Sequence, residues 1–144
     1  VTLGDPNVYS TFHHLAAAVG RCRPGTVVET VPGIMAFQDL AARAGVVVVD
    51  GAERLAVVSA AEGPGPVDAA LADPGAAVVV YKGGRHLPAI ADRLGRSGRL
   101  EGAVLGELLG LPGQRVCAVS PAAAGPAAYL ATVIVPPTRA EAEA

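Results

Sequence analysis

An acidic residue in a turn near the start of the chain, Asp5, could take part in ligand binding. It lies in Gly4-Asp5-Pro6, where glycine widens the choice of backbone conformation and proline fixes its own φ. Apolar residues predict the end of a buried strand at 1–3, and a helix is predicted after the turn from Val8, Phe12, Leu15, Ala16 and Val19. Open α/β sheets bind ligands at such strand ends, and a carboxylate there suits hydroxyl, amine and ribose groups better than polyphosphate.

Two further positions could line a ligand site, and all three candidates also have ordinary structural explanations. Pro32-Gly33-Ile34 leads into a predicted helix, and Lys82 follows a buried strand. Asp5 could instead be a turn residue or helix N-cap, Pro32-Gly33 a simple tight turn, and Lys82 a solvated residue where the strand leaves the core. Residue type and spacing leave both interpretations open.

Three segments together resemble the tetrapyrrole (corrin/porphyrin) methylase family. They are TLGDPNVYSTF at 2–12, VETVPGIMAFQ at 28–38 and VVVYKGGRHL at 78–87. A lone GDP motif would be weak, but this combination at these separations is specific, and the likeness extends to about Pro137. Within the family, the segments are most similar to the members that methylate precorrin-2 at C20, giving precorrin-3A in cobalamin biosynthesis. The resemblance therefore implies S-adenosylmethionine as methyl donor and a tetrapyrrole, precorrin-2, as substrate.

The same resemblance assigns residues to the cofactor site. The positions that correspond to those holding S-adenosylmethionine in the family are Leu3, Gly4, Asp5, Val8, Met35, Ala36 and Lys82. Met35 departs from the family, which has a Thr/Ser-Ala pair here, and a thioether cannot replace a hydroxyl hydrogen bond. Either a backbone group makes that bond, or the contact is only van der Waals.

No catalytic residue and no metal ligand is assigned. Methyl transfer from a sulfonium is an in-line displacement with a good leaving group, so the protein must mainly align the reactants and exclude water. A general base for the macrocycle is not identified. Arg85 and His86 could form an anion-binding corner, but the Gly-Gly turn before them lacks the third glycine of a dinucleotide fingerprint. His13 and His14, adjacent on a helix, point about 100° apart and cannot share one metal ion.

The resemblance also implies a domain organisation and a partner. Family members are homodimers of a two-domain chain, whose N-terminal domain supplies one wall of the active-site cleft. The expected division is a remnant of that domain at 1–24, the C-terminal methylase domain at 25–137, and a disordered tail at 138–144. The chain would then be truncated, so activity of this chain alone does not follow. Alternatives are a methylase for another precorrin or cobalt-precorrin, and a non-catalytic cofactor-binding fragment.

The remaining sequence predicts an α/β fold with a mixed sheet flanked by helices. Helices are predicted at 34–44, 67–71 and 87–94, and strands at 26–30, 46–49, 55–59, 76–81, 102–109, 114–119 and 129–135. The run Ala76 to Tyr81 is continuously apolar, which is typical of a strand buried on both faces. An N-terminal strand-turn-helix is expected to protrude from this sheet.

Composition limits the possible functions independently. The 144 residues are 51% hydrophobic, enough for the core of one domain. A net charge of −2 and an aromatic content of 3% disfavour a nucleic-acid partner. No apolar run approaches the roughly 20 residues of a membrane span, so the cytoplasm is the expected location. Cys22 and Cys117 lie far apart without further ligand residues nearby, and we expect buried or idle thiols.

Overall fold

The computed structural model describes residues 2–121 and 125–139. The helices are α1 (Phe12–Cys22), α2 (Ala36–Ala44), α3 (Gly65–Leu71) and α4 (Leu87–Arg96), with a 3₁₀ turn at Gly84–His86. The strands are β1 (Arg54–Ser59), β2 (Ala76–Tyr81), β3 (Val104–Glu107), β4 (Arg115–Ala118) and β5 (Ala131–Val135).

Within these residues the strands form one five-stranded mixed sheet in the order β1-β2-β5-β3-β4. β1 and β2 are parallel and are joined through α3, and the other neighbouring pairs are antiparallel. In the central pair, Tyr81 at the carboxyl end of β2 lies opposite Thr132 near the start of β5. The structure thus confirms the prediction of an α/β fold with a mixed sheet flanked by helices.

Helices cover both faces of the sheet, which explains why β2 is apolar throughout. Because side chains alternate along a strand, Val78 and Val80 pack in the cluster that contains α3 and α4 residues, and Val79 packs in the cluster of α2. Ala76 to Val80 are all buried. The prediction of a strand buried on both faces is therefore confirmed.

A buried arginine joins two central strands at the end of the sheet opposite Tyr81. The guanidinium of Arg99 donates to the carbonyls of Asp73 at 3.2 Å, Ala76 at 2.7 Å and Pro136 at 2.8 Å. These carbonyls belong to the entry into β2 and the exit from β5. A buried cation that satisfies three backbone acceptors holds these strand ends together.

Several predicted strands are absent from the described residues. Residues 26–30 and 46–49 belong to no strand, and Thr2 and Leu3 are exposed outside any strand, while residue 1 lies outside the described range. Val27 is 82% exposed. Valine and threonine favour extended backbone, but a strand also needs a neighbouring strand to pair with, and no strand within 2–121 or 125–139 pairs with these segments.

The other predicted elements are present with shifted ends. The helix predicted from Val8 begins at Phe12, and the helix predicted from Ile34 begins at Ala36. The three C-terminal strands are shorter than predicted. In the predicted disordered tail, Thr138 donates its N–H to the carbonyl of Pro74 at 2.8 Å, and Arg139 pairs with Glu53 at 2.7 Å. These two residues therefore contact the rest of the chain, and 140–144 lie outside the described residues.

A membrane-crossing helix is not found in 2–121 or 125–139, since none there is long and apolar enough.

Candidate functional site

A cavity of about 510 Å³ lies where β2 ends and β5 begins. Its lining comes from the amino-terminal loop, the start of α2, the end of β2, the segment after β3, and residues 129–132. All seven residues that the sequence predicted for the cofactor site line it: Leu3, Gly4, Asp5, Val8, Met35, Ala36 and Lys82. The fold therefore brings together three segments that span nearly the first 82 residues.

Asp5 joins two loops at this cavity. One carboxylate oxygen accepts the N–H of Asn7 at 2.8 Å, and the other accepts the N–H of Gly33 at 3.1 Å. The loops are in such close contact that a Cβ added at Gly33 would overlap the carbonyl oxygen of Gly4. Asp5 is not an N-cap, because α1 begins only at Phe12. Each carboxylate oxygen retains a lone pair for a ligand.

The backbone of Met35 is fully used by the start of α2. Its N–H donates to the side-chain oxygen of Gln38 at 2.9 Å. Its carbonyl accepts the N–H groups of Gln38 at 2.9 Å and Asp39 at 3.3 Å. Met35 therefore has no backbone group left to replace the missing hydroxyl, and its thioether side chain is left for apolar contact.

Lys82 and two tyrosines hold the amino-terminal loop against the sheet. The Lys82 ammonium donates to the carbonyl of Tyr9 at 3.1 Å, and the Tyr9 hydroxyl donates to the carbonyl of Val57 at 3.1 Å. The rings of Tyr9 and Tyr81 meet edge to face, with centroids 5.9 Å apart. Tyr9 lies in the motif at 2–12, but the motif alone predicts no role for its side chain.

Tyr81 places a neutral hydroxyl group at the cavity. Burial raises the pKa of its phenol, although a hydrogen bond from the N–H of Phe37, at 3.3 Å, acts in the opposite direction. The phenol is protonated at neutral pH, and its proton remains available for donation. The sequence did not identify Tyr81 as a site residue, although it is the only residue of β2 with a polar group on its side chain, which is the signal that could have found it.

Glu107 supports the side of the cavity that is formed by residues 129–132. This buried carboxylate accepts the N–H of Ala128 at 2.7 Å and pairs with Arg115. Burial alone would raise the pKa of Glu107, but the bonds from Ala128 and Arg115 outweigh it and hold that pKa below its usual range. Ala128 directly precedes Tyr129, so Glu107 positions the segment that lines the cavity at 129–132.

The other candidate residues are not at the cavity. Arg85 donates to the ring of His86 at 3.1 Å and to the carbonyl of Ala61, so this pair is engaged within the protein. Cys22 and Cys117 are free thiols, and Cys22 is exposed rather than buried. His13 pairs through Nδ1 with the carbonyl of Ser10 at 2.9 Å.

Residues 1–124 match the model of the family described as Tetrapyrrole (Corrin/Porphyrin) Methylases. The chain belongs to the tetrapyrrole methylase family. A curated relative, the precorrin-2 C(20)-methyltransferase of Sinorhizobium sp, is 35% identical over 133 residues, which are 92% of this chain and 53% of the relative. The chain thus spans about half the length of this relative.

Solved structures of tetrapyrrole methyltransferases share the fold of this chain. Cobalt precorrin-4 methyltransferase CbiF matches with a TM-score of 0.70 at 16% identity, covering 92% of this chain and 61% of that one. The methyltransferase CobJ matches with a TM-score of 0.65 at 21% identity, covering 93% and 62%. Uroporphyrin-III C-methyl transferase from Thermus thermophilus, complexed with S-adenyl homocysteine, matches with a TM-score of 0.57 at 21% identity, covering 92% and 62%.

Proposed function

We propose that the cavity is the S-adenosylmethionine site of a methyltransferase that methylates precorrin-2 at C20. The observation that carries the proposal is the convergence of seven residues, predicted from three separate motifs, on one cavity. The 35% identical relative is a precorrin-2 C(20)-methyltransferase, which supports this substrate and position. One structural relative was solved with S-adenyl homocysteine, the product form of the cofactor, which supports the choice of methyl donor.

The residues at the cavity suit such a ligand. Its volume lies in the range of about 300–1,000 Å³ that small-molecule sites occupy. Leu3, Val8, Ile34, Leu109 and Leu130 provide apolar contacts for an adenine ring and an alkyl chain. The free lone pairs of Asp5 and the hydroxyl proton of Tyr81 suit the polar groups of a ribose or amino acid. A mainly apolar lining with few polar groups is typical of a cofactor site.

S-adenosylmethionine supplies an electrophilic methyl group on a sulfonium. The contribution of this chain is to hold the cofactor and to orient its methyl group. Asp5 fixes the relative position of the Gly4 and Gly33 loops, and Glu107 fixes the segment before β5. The apolar side chains exclude water from the space between them, which protects a displacement reaction from competing hydrolysis.

Calorimetric titration of the 144-residue chain with S-adenosylhomocysteine tests the cofactor site. We expect saturable binding at one site, weakened about tenfold in Asp5→Asn because the amide replaces one acceptor with a donor facing a backbone N–H. Asp92→Asn is the matched control, since Asp92 lies on the surface of α4 in an ion pair with Arg96 and does not line the cavity. Absence of saturable binding by the unmodified chain would contradict the proposal.

Mass analysis of precorrin-2 incubated with S-adenosylmethionine and the protein tests the reaction. A product in which one hydrogen has been replaced by a methyl group is expected, and with ¹³C-methyl S-adenosylmethionine the carbon-13 spectrum should place the labelled methyl group at C20. Binding of S-adenosylhomocysteine without methyl transfer would favour a cofactor-binding fragment, and methylation of another precorrin carbon would favour a different methylase of the family. The resemblance further leads us to propose a cytoplasmic homodimer, which light scattering can test for its oligomeric state.

A further inference from the structure

Lys82 is an unusual residue for its position. It is the only lysine in the chain, and the other basic residues among the eleven Lys and Arg are arginines. It is also the only cation among the residues that line the cavity. A positive charge at the end of an apolar strand, inside a mainly apolar cavity, needs a reason beyond solvation.

The backbone at Lys82 points to a functional constraint. Its φ is +57°, a conformation that glycine adopts at lower cost, and the next two residues are glycines. In the described parts of the chain, the non-glycine residues with positive φ are Tyr9, Lys82 and Leu108. Tyr9 and Lys82 line the cavity, and Leu108 directly precedes a residue that does. Backbone strain of this kind concentrates at ligand sites.

The Lys82 charge is not neutralised by the residues around the cavity. Asp39 pairs with Arg43 at 2.9 Å, and both oxygens of Asp5 accept backbone N–H groups. In 2–121 and 125–139 no ion pair includes Lys82. Its ammonium has three N–H donors, and the bond to the Tyr9 carbonyl uses one of them. Two donors remain for an anion.

We propose that the Lys82 ammonium binds a carboxylate of the ligand in this cavity. The proposal rests on the proposed function, because that function supplies two carboxylate sources: the amino-acid part of S-adenosylmethionine and the acidic side chains of the tetrapyrrole. The bond to Tyr9 holds the ammonium in place, so that carboxylate binding also secures the amino-terminal loop. Lys82 is thus a specificity residue for acidic ligands.

Binding measurements with Lys82→Met test the proposal. This substitution keeps an unbranched chain and removes the charge. Three probes are titrated into both proteins: S-adenosylhomocysteine, 5′-methylthioadenosine, which shares the adenosine and thioether but lacks the carboxylate, and uroporphyrin, whose side chains are carboxylates. We expect about tenfold or greater weakening for at least one carboxylate-bearing probe, and unchanged binding of 5′-methylthioadenosine. Weakening confined to S-adenosylhomocysteine assigns the carboxylate to the cofactor, and weakening confined to uroporphyrin assigns it to the substrate.

Controls separate charge from folding. Lys82→Arg should retain most of the affinity that Lys82→Met loses, and Arg96→Met, which removes an exposed charge on α4, should change none of the three affinities. Equal weakening of all three probes in Lys82→Met would reveal a structural role and overturn the proposal, as would unchanged binding of all three. If the unmodified protein binds neither adenosyl probe, the proposed function fails, and the uroporphyrin titration still decides the role of Lys82. If the unmodified protein binds none of the three probes, both the proposed function and the role of Lys82 are overturned.

Because the chain has a single lysine, ligand binding at Lys82 can also be followed directly by NMR spectroscopy. Biosynthetic labelling with ¹³Cε-lysine places a single labelled lysine, Lys82, in the protein and leaves its ammonium unmodified. The Lys82 signal should shift on addition of a carboxylate-bearing probe and stay in place with 5′-methylthioadenosine. A shift of the same size with 5′-methylthioadenosine would overturn the carboxylate assignment.

Discussion

The two walls of the cavity are held by different forces. Residues 36–121 and 125–139 build a sheet covered by helices on both faces, with fully buried side chains such as Leu40 and Ile90. In 2–35, by contrast, Pro6 is the only buried residue. Hydrophobic burial therefore positions the sheet side of the cavity, whereas the amino-terminal side is positioned by hydrogen bonds that Asp5 accepts and that Tyr9 and Lys82 donate.

Helix α1 illustrates this contrast. It has no buried residue, and Leu15 on its surface is 61% exposed. A few hydrogen bonds contribute much less free energy than a packed core. Local opening of the amino-terminal wall should accordingly require less free energy than unfolding of the sheet. The cavity thus lies between the stable sheet and a less stable amino-terminal wall, and a ligand that contacts both would stabilise that wall.

Removal of core volume should have the largest effect. Leu40→Ala deletes a fully buried side chain of α2 and should lower the free energy of unfolding by about 2–5 kcal/mol. Leu15→Ala, a matched truncation on exposed α1, should change it by less than about 0.5 kcal/mol. Urea denaturation followed by circular dichroism measures both. Similar losses for the two variants would show that α1 is part of the stable unit after all.

A methyl group between the two loops should impair binding more than stability. Gly33→Ala places a Cβ against the carbonyl of Gly4, so the loops must separate, and we expect about tenfold or greater loss of S-adenosylhomocysteine affinity. Gly20→Ala in α1 has open space around it and should leave affinity unchanged. Calorimetry gives the affinities, and thermal melting gives the stabilities. If Gly33→Ala bound as tightly as the unmodified chain, the contact of the two loops would be irrelevant to the site.

The smallest effect is expected at Glu107. Glu107→Gln keeps an acceptor for Ala128 but loses the charge that pairs with Arg115, and should destabilise by about 1 kcal/mol at pH 7. Because the pKa of Glu107 is lowered in the folded protein, the stabilisation is complete above the unfolded value of 4.5 and is lost as pH falls through the folded value. The two proteins should therefore converge in stability as pH falls below 4.5 and through the folded Glu107 pKa. Denaturant midpoints measured from pH 7 to pH 3 check this, and a constant difference across that range would exclude the ionic contribution.

Elements with strong local signals could be predicted from the sequence. The apolar run Ala76 to Tyr81 had to be a buried strand, and Gly45 ends α2 in the left-handed conformation expected of a helix C-cap. The cavity residues, in contrast, were assigned through the resemblance of the GDP, PGI and YKGGR motifs to the tetrapyrrole methylase family, because residue type and spacing alone left other interpretations open. Local backbone preference and hydrophobic pattern depend on residues that are neighbours in the chain. They can therefore be predicted before the fold is known.

Pairing and contact between distant residues could not be predicted in this way. Residues 26–30 have the composition of a strand, but in the part of the chain that the structure describes no strand lies beside them. Asp5 binds the N–H of Gly33, 28 positions away, and Lys82 binds the carbonyl of Tyr9, 73 positions away. Whether a carboxylate caps a helix or joins two loops, and whether a lysine faces water or a cavity, depends on which backbone groups the folded chain brings within hydrogen-bond distance. Those distances are set by the packing of the whole sheet and its helices, and they cannot be predicted from any short segment of the sequence.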